Sequence, residues 1–281
     1  DRLRSRGLGD VYKRQVYGDY DVDGISASSL LYLFLKDCGA DVNTYIPERK
    51  SEGYGLNIDA LNHLAEAGTT LVVTVDCGIS AVKEIAGAPK TLDIVVTDHH
   101  TPPEVLPEAY ALVNPHQKDC SYPFEHLSGV GVAFKLCQAL YKMRFPDKPL
   151  WDGNTEFVAL GTVADIVPLW GENRALVKHG LKKMETTENI GLKALIEKSR
   201  CPVKDITSEN IGFILAPRLN AVGRLEHAQL AVELLTAQDE ARAAEIAEVL
   251  NEENTLRQKI SREIFMDAEK MLAQYEHIDT A

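Results

Sequence analysis

At 281 residues, with 45% hydrophobic and 26% charged side chains, the chain has the make-up of an ordinary globular protein of one large or two modest domains. No apolar run reaches the roughly 18 residues of a membrane span, no secretory leader is visible, and five scattered cysteines without a CxxC pair fit reduced cytoplasmic thiols better than a disulfide frame or zinc knot. The formal charge of −12 weakly disfavours nonspecific binding to polyanions, although bound cations or a local basic patch can reverse the field at a cleft.

Residues 1–15 (DRLRSRGLGDVYKRQ) are basic and aperiodic and read as a non-native or disordered leader. The first strand, centred on Val16-Tyr17, is therefore either short or built from the poor strand formers Lys13, Arg14 and Gln15. Ile25 to Lys36 has a helical pattern that closes at Cys38, with Gly39 at C′. A strand over 41–47, a helix from Ile58 to Ala67 ending at Gly68, strands at 71–75 and 93–97 around a short helix near 80–86, and a strand over 110–113 follow. From Gly129 onward the pattern is helical: 132–143, 156–164, and stretches near 174–184, 191–198 and 207–215. The apolar positions Ile246, Leu250, Leu256, Ile260, Ile264, Ala268, Met271 and Leu272 mark one long amphipathic helix, or two in succession, between about 239 and 275. Alternating strands and helices predict an α/β fold, a mostly parallel sheet with helices on both faces, over 16–238. A helical region and a long connecting helix over 239–281 complete it, the latter suited to join a further domain.

Three of the strands run straight into acidic clusters: Val16-Tyr17 into Gly18-Asp19-Tyr20-Asp21-Val22-Asp23-Gly24, residues 71–75 into Asp76-Cys77-Gly78, and residues 94–97 into Asp98-His99-His100. The carboxyl ends of parallel strands are where open α/β sheets bind ligands. Carboxylates gathered there with two imidazoles repel one another unless cations intervene, so the arrangement points to a metal site for more than one ion. The Asp-x-Asp-x-Asp-Gly run resembles the start of a calcium loop, but the preceding helix is missing and position 12 is Leu30 rather than Glu. Taken singly, Asp76 reads equally well as a helix cap.

The ordered motifs GDYDVDG, VDCG, TDHH and GTVADIVPL, supported by YIPERKSEGYGLN (45–57), LVNPHQ (112–117), LSGVGVAFKL (127–136) and APRLNAVGRL (216–225), resemble the DHH phosphoesterase superfamily, and within it the bacterial single-strand-specific exonucleases. The similarity runs over roughly residues 16 to 240. It implies a site for two divalent metal ions, usually Mn2+ with Mg2+ as the alternative. The ligands it implies are Asp19, Asp21, Asp23, Asp76, His99 and Asp165, with Asp76 bridging. His100 would sit beside the scissile phosphate, as ligand support or as a donor to a phosphate oxygen. Many relatives carry a His at the position of Tyr17, so this chain departs from the small-substrate branch there.

Arg218, Asn220 and Arg224 form a second candidate group, which in the relatives addresses nucleic-acid backbone or scissile phosphate; a salt-bridged Arg pair on a helix rim fits the same residues. Arg49 is a weaker candidate for that role. Ser128-Gly129 reads equally as an anion nest at a helix start or as a tight turn. The expected activity is metal-dependent hydrolysis of single-stranded DNA from the 5′ end, releasing mononucleotides, in DNA repair and recombination. The expected enzyme is a cytoplasmic monomer with no membrane association, whose partner classes are single-strand-binding proteins and helicases. Two rivals stand: a phosphoesterase of the same superfamily acting on dinucleotides, short oligonucleotides or pyrophosphate, and a non-catalytic DNA-binding scaffold, disfavoured because such proteins lose ligands that are present here.

Overall fold

A computed structural model describes residues 13–48, 52–223 and 228–272. The first half alternates strand and helix: β1 (Lys13–Tyr17), α1 (Val22–Asp37), β2 (Val42–Tyr45), α2 (Ile58–Glu66), β3 (Thr69–Val75), α3 (Val82–Gly87), β4 (Asp93–Thr97) and β5 (Ala111–Val113). The second half is helical: α4 (Gly129–Arg144), α5 (Thr155–Ala164), α6 (Gly171–Met184), α7 (Ile190–Lys198), α8 (Ser208–Asn210), a π-helical turn at Ile211–Leu215, then α9 (Ala216–Gly223), α10 (Ala228–Leu235) and α11 (Glu240–Leu272). No described helix is long and apolar enough to cross a membrane.

The five strands form one parallel sheet in the order β2-β1-β3-β4-β5, with Val16 paired to Thr44 on one side and Val73 on the other, and Val73 paired onward to Val95. Strand alternation sends Val16, Val73 and Val75 into a core shared with α1, α4 and α5, while Tyr17, Val72, Ile94 and Val96 enter a smaller core under α2 and α3. Burial on both faces explains why β3 and β4 read as almost unbroken apolar runs. β1 takes the second of its two sequence alternatives. It starts at Lys13, because backbone pairing to β3, joined from Arg14 by pairing to β2, holds Lys13–Gln15 in the ladder whatever their side chains, and Lys13 Nζ finds the Ala67 carbonyl 3.1 Å away.

α1 begins where Asp21 accepts a hydrogen bond from the Gly24 N–H (3.0 Å) and ends at Cys38, after which Gly39 takes the expected left-handed conformation (φ 80°). Its nearly all-round apolar surface lies between the sheet and α4 and α5, whose Phe134 and Phe157 are among the largest fully buried side chains. Truncating Phe157 to Ala would cost about 3–5 kcal/mol. α11 is a single helix over the described residues. Ala243, Ile246, Ala247 and Leu250 are buried on its first half, whereas Leu256, Ile260 and Ile264 further on are exposed.

Candidate metal centre

Five carboxylates and two imidazoles meet at and beside the carboxyl ends of β1, β3 and β4. Asp19 lies in the turn after β1, Asp21 is the N-cap of α1, and Asp23 sits in that helix's first turn. The alternation in Asp-x-Asp-x-Asp thus straddles a loop and a helix start rather than one strand face. Asp76 directly follows β3 with φ 59°, a left-handed conformation that Asp tolerates better than most residues. It caps no helix, since α3 begins only at Val82. His99 and His100 follow β4, and Asp165 closes α5. His99 Nε2 lies 3.2 Å from Asp76 Oδ1, 3.6 Å from Asp165 Oδ2 and 3.9 Å from Asp23 Oδ2.

Three overlapping groups each bring their ligand atoms within 4.8 Å of one another: Asp19, Asp21 and Asp76; Asp23, His99 and Asp165; and Asp76, His99 and His100. The electrostatics are those of a cluster built around missing positive charge. Burial, and then the neighbouring Asp21, push Asp19 up to about 7; the same two causes push Asp165 up to about 6. Asp23 and Asp76 are raised by burial and by the carboxylates beside them, Asp165 for the first and Asp23 for the second. His99 is lowered to about 4, chiefly by burial and then by His100. Its ring also hydrogen-bonds the Leu127 backbone, leaving Nε2 as a bare acceptor toward the carboxylates.

A divalent cation fits this donor set. Among the described residues the buried atoms Asp76 Oδ1 and His99 Nε2 have no hydrogen-bond partner, although buried polar atoms are normally paired. Carboxylates with one or two imidazoles suit Mg, Mn or Fe better than a thiol-selecting ion.

Asp98 works differently. One carboxylate oxygen accepts from the N–H groups of His99 (2.7 Å) and His100 (3.1 Å) and contacts His100 Nδ1 at 2.7 Å; the other accepts from Ile79 N–H (2.9 Å). Burial pushes this carboxyl up, but its hydrogen bonds from His100 and from the backbone outweigh that and hold it below the usual range. In return the Asp98 hydrogen bond raises His100. Asp98 is therefore the orienter of the His pair rather than a member of the ligand groups.

The DHH family, N-terminal domain, matches residues 13–162, more than half of the sequence. The chain belongs to the DHH family. It is 42% identical over 275 residues to the single-stranded-DNA-specific exonuclease RecJ of Bacillus subtilis (strain 168), which covers 98% of this chain and 34% of that protein. Identity to the Thermus thermophilus protein of the same description is 37% over 247 residues, 88% of this chain and 36% of that one. The chain thus spans about a third of the length of these relatives. A crystal structure of exonuclease RecJ bound to manganese superposes with a TM-score of 0.83 at 34% identity, covering 95% of this chain and 66% of that one.

Within this DHH domain the remaining sequence candidates are placed as follows. The nest at Ser128-Gly129 exists, and the anion in it is a carboxylate of the chain itself. Gly129 N–H (2.6 Å) and Val130 N–H (2.9 Å) donate to Asp23, while Ser128 Oγ caps Gly131 N–H and pairs with Thr162 Oγ1 at 2.9 Å. The start of α4 is thus spent on fixing Asp23, which sequence reasoning could not anticipate across more than a hundred residues. Arg218 is turned away to α11 and the π-helical turn, bonding Asn251 Oδ1 at 3.0 Å and the Ile214 carbonyl at 2.6 Å. Asn220 is partly buried on α9. Arg49 and Arg224 lie outside the described residues. Tyr17 points into the small core, where its hydroxyl donates to the Gly55 carbonyl (3.0 Å) and lies 3.4 Å from Asn57 Nδ2, so the phenol supports the 52–57 turn. Two glycines also shape the site: a Cβ on Gly129 would fall 2.4 Å from Asp76 Oδ1, and one on Gly161 2.5 Å from Asp23 Oδ1.

Proposed function

We propose that this chain is the catalytic domain of a divalent-metal-dependent exonuclease that hydrolyses single-stranded DNA from its 5′ end, releasing 5′-mononucleotides. The observation that carries the reading is the buried Asp/His cluster at the carboxyl ends of β1, β3 and β4, with Asp76 Oδ1 and His99 Nε2 left without partners. The similarity to RecJ exonucleases over nearly the whole chain supplies the substrate. Asp19, Asp21 and Asp76 would hold one ion and Asp23, His99 and Asp165 a second, with Asp76 between them; Mn2+ is the first choice and Mg2+ the alternative. Such ions, held by these residues, would supply hydroxide near neutral pH and offset charge on the attacking and leaving oxygens.

The chain's own groups do the rest. Asp98 fixes His100 at Nδ1, so the half-exposed ring presents its Nε2–H to a non-bridging phosphate oxygen. Gly129 and Val130 N–H hold Asp23 in one orientation, and the Leu127 carbonyl keeps His99 Nε2 free of a proton. Arg224 and Asn220 are proposed to hold the strand's backbone.

The decisive experiment is hydrolysis of a 5′-labelled single-stranded oligonucleotide in MnCl2, with a dinucleotide and a blunt duplex in parallel. Release of labelled mononucleotide from the long strand is expected, and Asp76→Ala is expected to abolish it. Cleavage of the dinucleotide alone, or near-parental turnover by Asp76→Ala, would overturn the reading.

A further inference from the structure

Beyond the metal ligands, the β5 side of the cleft carries a row of exposed apolar and aromatic groups that the chemistry leaves unused. Directly after Asp165 come Ile166 (87% exposed), Leu169 (41%) and Trp170 (55%). A tryptophan left this open is uncommon unless it covers something. Its mounting is rigid. The indole packs edge-on against Phe124 (5.4 Å between centroids, 80°) and against His126 (5.3 Å, 62°), and His126 packs in turn on His116 (6.2 Å).

The loop that carries Trp170 is stapled as well. Asn173, fully buried, donates from one amide nitrogen to the His126 carbonyl (2.6 Å) and to the Pro168 carbonyl (3.1 Å). Gly171 (φ 53°) passes so near Phe124 that a Cβ there would meet the ring at 2.7 Å. Ile166, a β-branched residue, is held at φ 62°, a strained conformation that turns it outward beside the ligand Asp165.

This wall is continuous with the metal centre. His99 bonds the Leu127 backbone, and Leu127 adjoins His126, which packs on Trp170. Over the cluster itself, the exposed Tyr54 packs on Tyr20, which follows β1, and on His100, which follows β4. Both aromatic groups are thus joined to the acidic cluster through ring contacts.

We propose that Trp170, with Ile166 and Leu169 beside it, is a stacking platform for a nucleobase of the bound strand. The chemistry favours this occupant: cations held by the Asp/His cluster would draw a phosphate backbone, while an uncharged π-face beside it accepts any base without sequence preference. A rigid ring takes up a base with little ordering cost. The inference rests on the single-strand reading above.

The test is binding rather than turnover. With MnCl2, a 3′-labelled phosphorothioate dT12 and a labelled abasic strand of equal length and charge are titrated with each chain and read by fluorescence anisotropy, and in a Trp151→Phe background the Trp170 emission is followed as well. The expected result is quenching by dT12, with Trp170→Leu weakening dT12 about tenfold, the abasic strand less than about twofold, and Trp170→Phe restoring most of the loss. Trp170→Leu keeps an apolar group against Phe124 and His126, so the fold is retained. Equal weakening of both strands, or no weakening of either, overturns the platform while leaving the single-strand reading intact. Failure of the parent chain to bind either strand overturns both.

Discussion

Asp19→Asn tests whether the cluster is held against its own charge. The Asp19 carboxyl is 3% exposed and pushed up to about 7 by burial and by Asp21. In the unfolded chain it titrates near 3.8. Between those values the metal-free folded chain keeps a proton that the unfolded chain has released, so stability falls as pH rises through the window. At about 1.4 kcal/mol per pKa unit the cost is about 1.5 kcal/mol at about pH 5 and reaches about 4 kcal/mol by about pH 8. Asn keeps an oxygen for the Tyr20 N–H now 2.8 Å away and carries no charge. Urea unfolding in EDTA should therefore find Asp19→Asn more stable than the parent, with a gain that grows over this range. In MnCl2 the mutant's advantage should shrink, because a cation at about a hundredfold its Kd adds about 2.7 kcal/mol to the chain that binds it, enough to reverse the order at about pH 5 but not at about pH 8. A gain independent of pH, or a mutant less stable than the parent in EDTA at about pH 8, would refute the reasoning.

Asp98→Asn sets an amide against backbone N–H groups that now share a carboxylate. It should cost about 1–3 kcal/mol in urea melts and lower the His100 pKa, which two-dimensional NMR of the ring protons would read. Gly161→Ala drives a methyl to within 2.5 Å of Asp23 Oδ1 and 2.7 Å of Val130 Cγ1; calorimetric Mn2+ titration should show affinity down at least about tenfold, a loss of about 1.4 kcal/mol. Tyr17→Phe removes the hydroxyl that holds the Gly55 carbonyl, so KM for an oligonucleotide should rise severalfold with kcat within about twofold, and an equal fall in kcat would count against a supporting role.

Much of the sheet and most of the acidic cluster were legible because parallel strands buried on both faces write themselves as apolar runs, and the residues that follow them define the binding edge. The helices at 216–223 and 228–235 were not resolved from the sequence. Pro217 resembles a breaker, yet it sits two residues after the π-helical turn at Ile211–Leu215, and the helical run continues through it. Contacts between distant segments were the other blind spot. Nothing near Asp23 announces that the amides of Gly129 and Val130 will claim it, nor near Gly161 that the helix must come close to that carboxylate. The Asp98-His99-His100 cluster was visible, but spacing cannot say that Asp98 accepts bonds from both histidines and Ile79 instead of facing the ligands. Arg218 stayed open for a related reason: a guanidinium suited to phosphate is equally suited to tying α9 to α11, as its bond to Asn251 does.

The clasp of α4 on Asp23 has a consequence for motion. Asp76 and His99 emerge from neighbouring central strands, and Asp23 is locked by amides of a helix that packs across α1. No subset of these groups belongs to a segment that can open by itself, unlike the loop-borne sites that many enzymes draw from their least protected regions. The amides of Gly129 and Val130 should then exchange with solvent deuterium only through opening of the sheet core, so the cluster's geometry is as persistent as the fold itself.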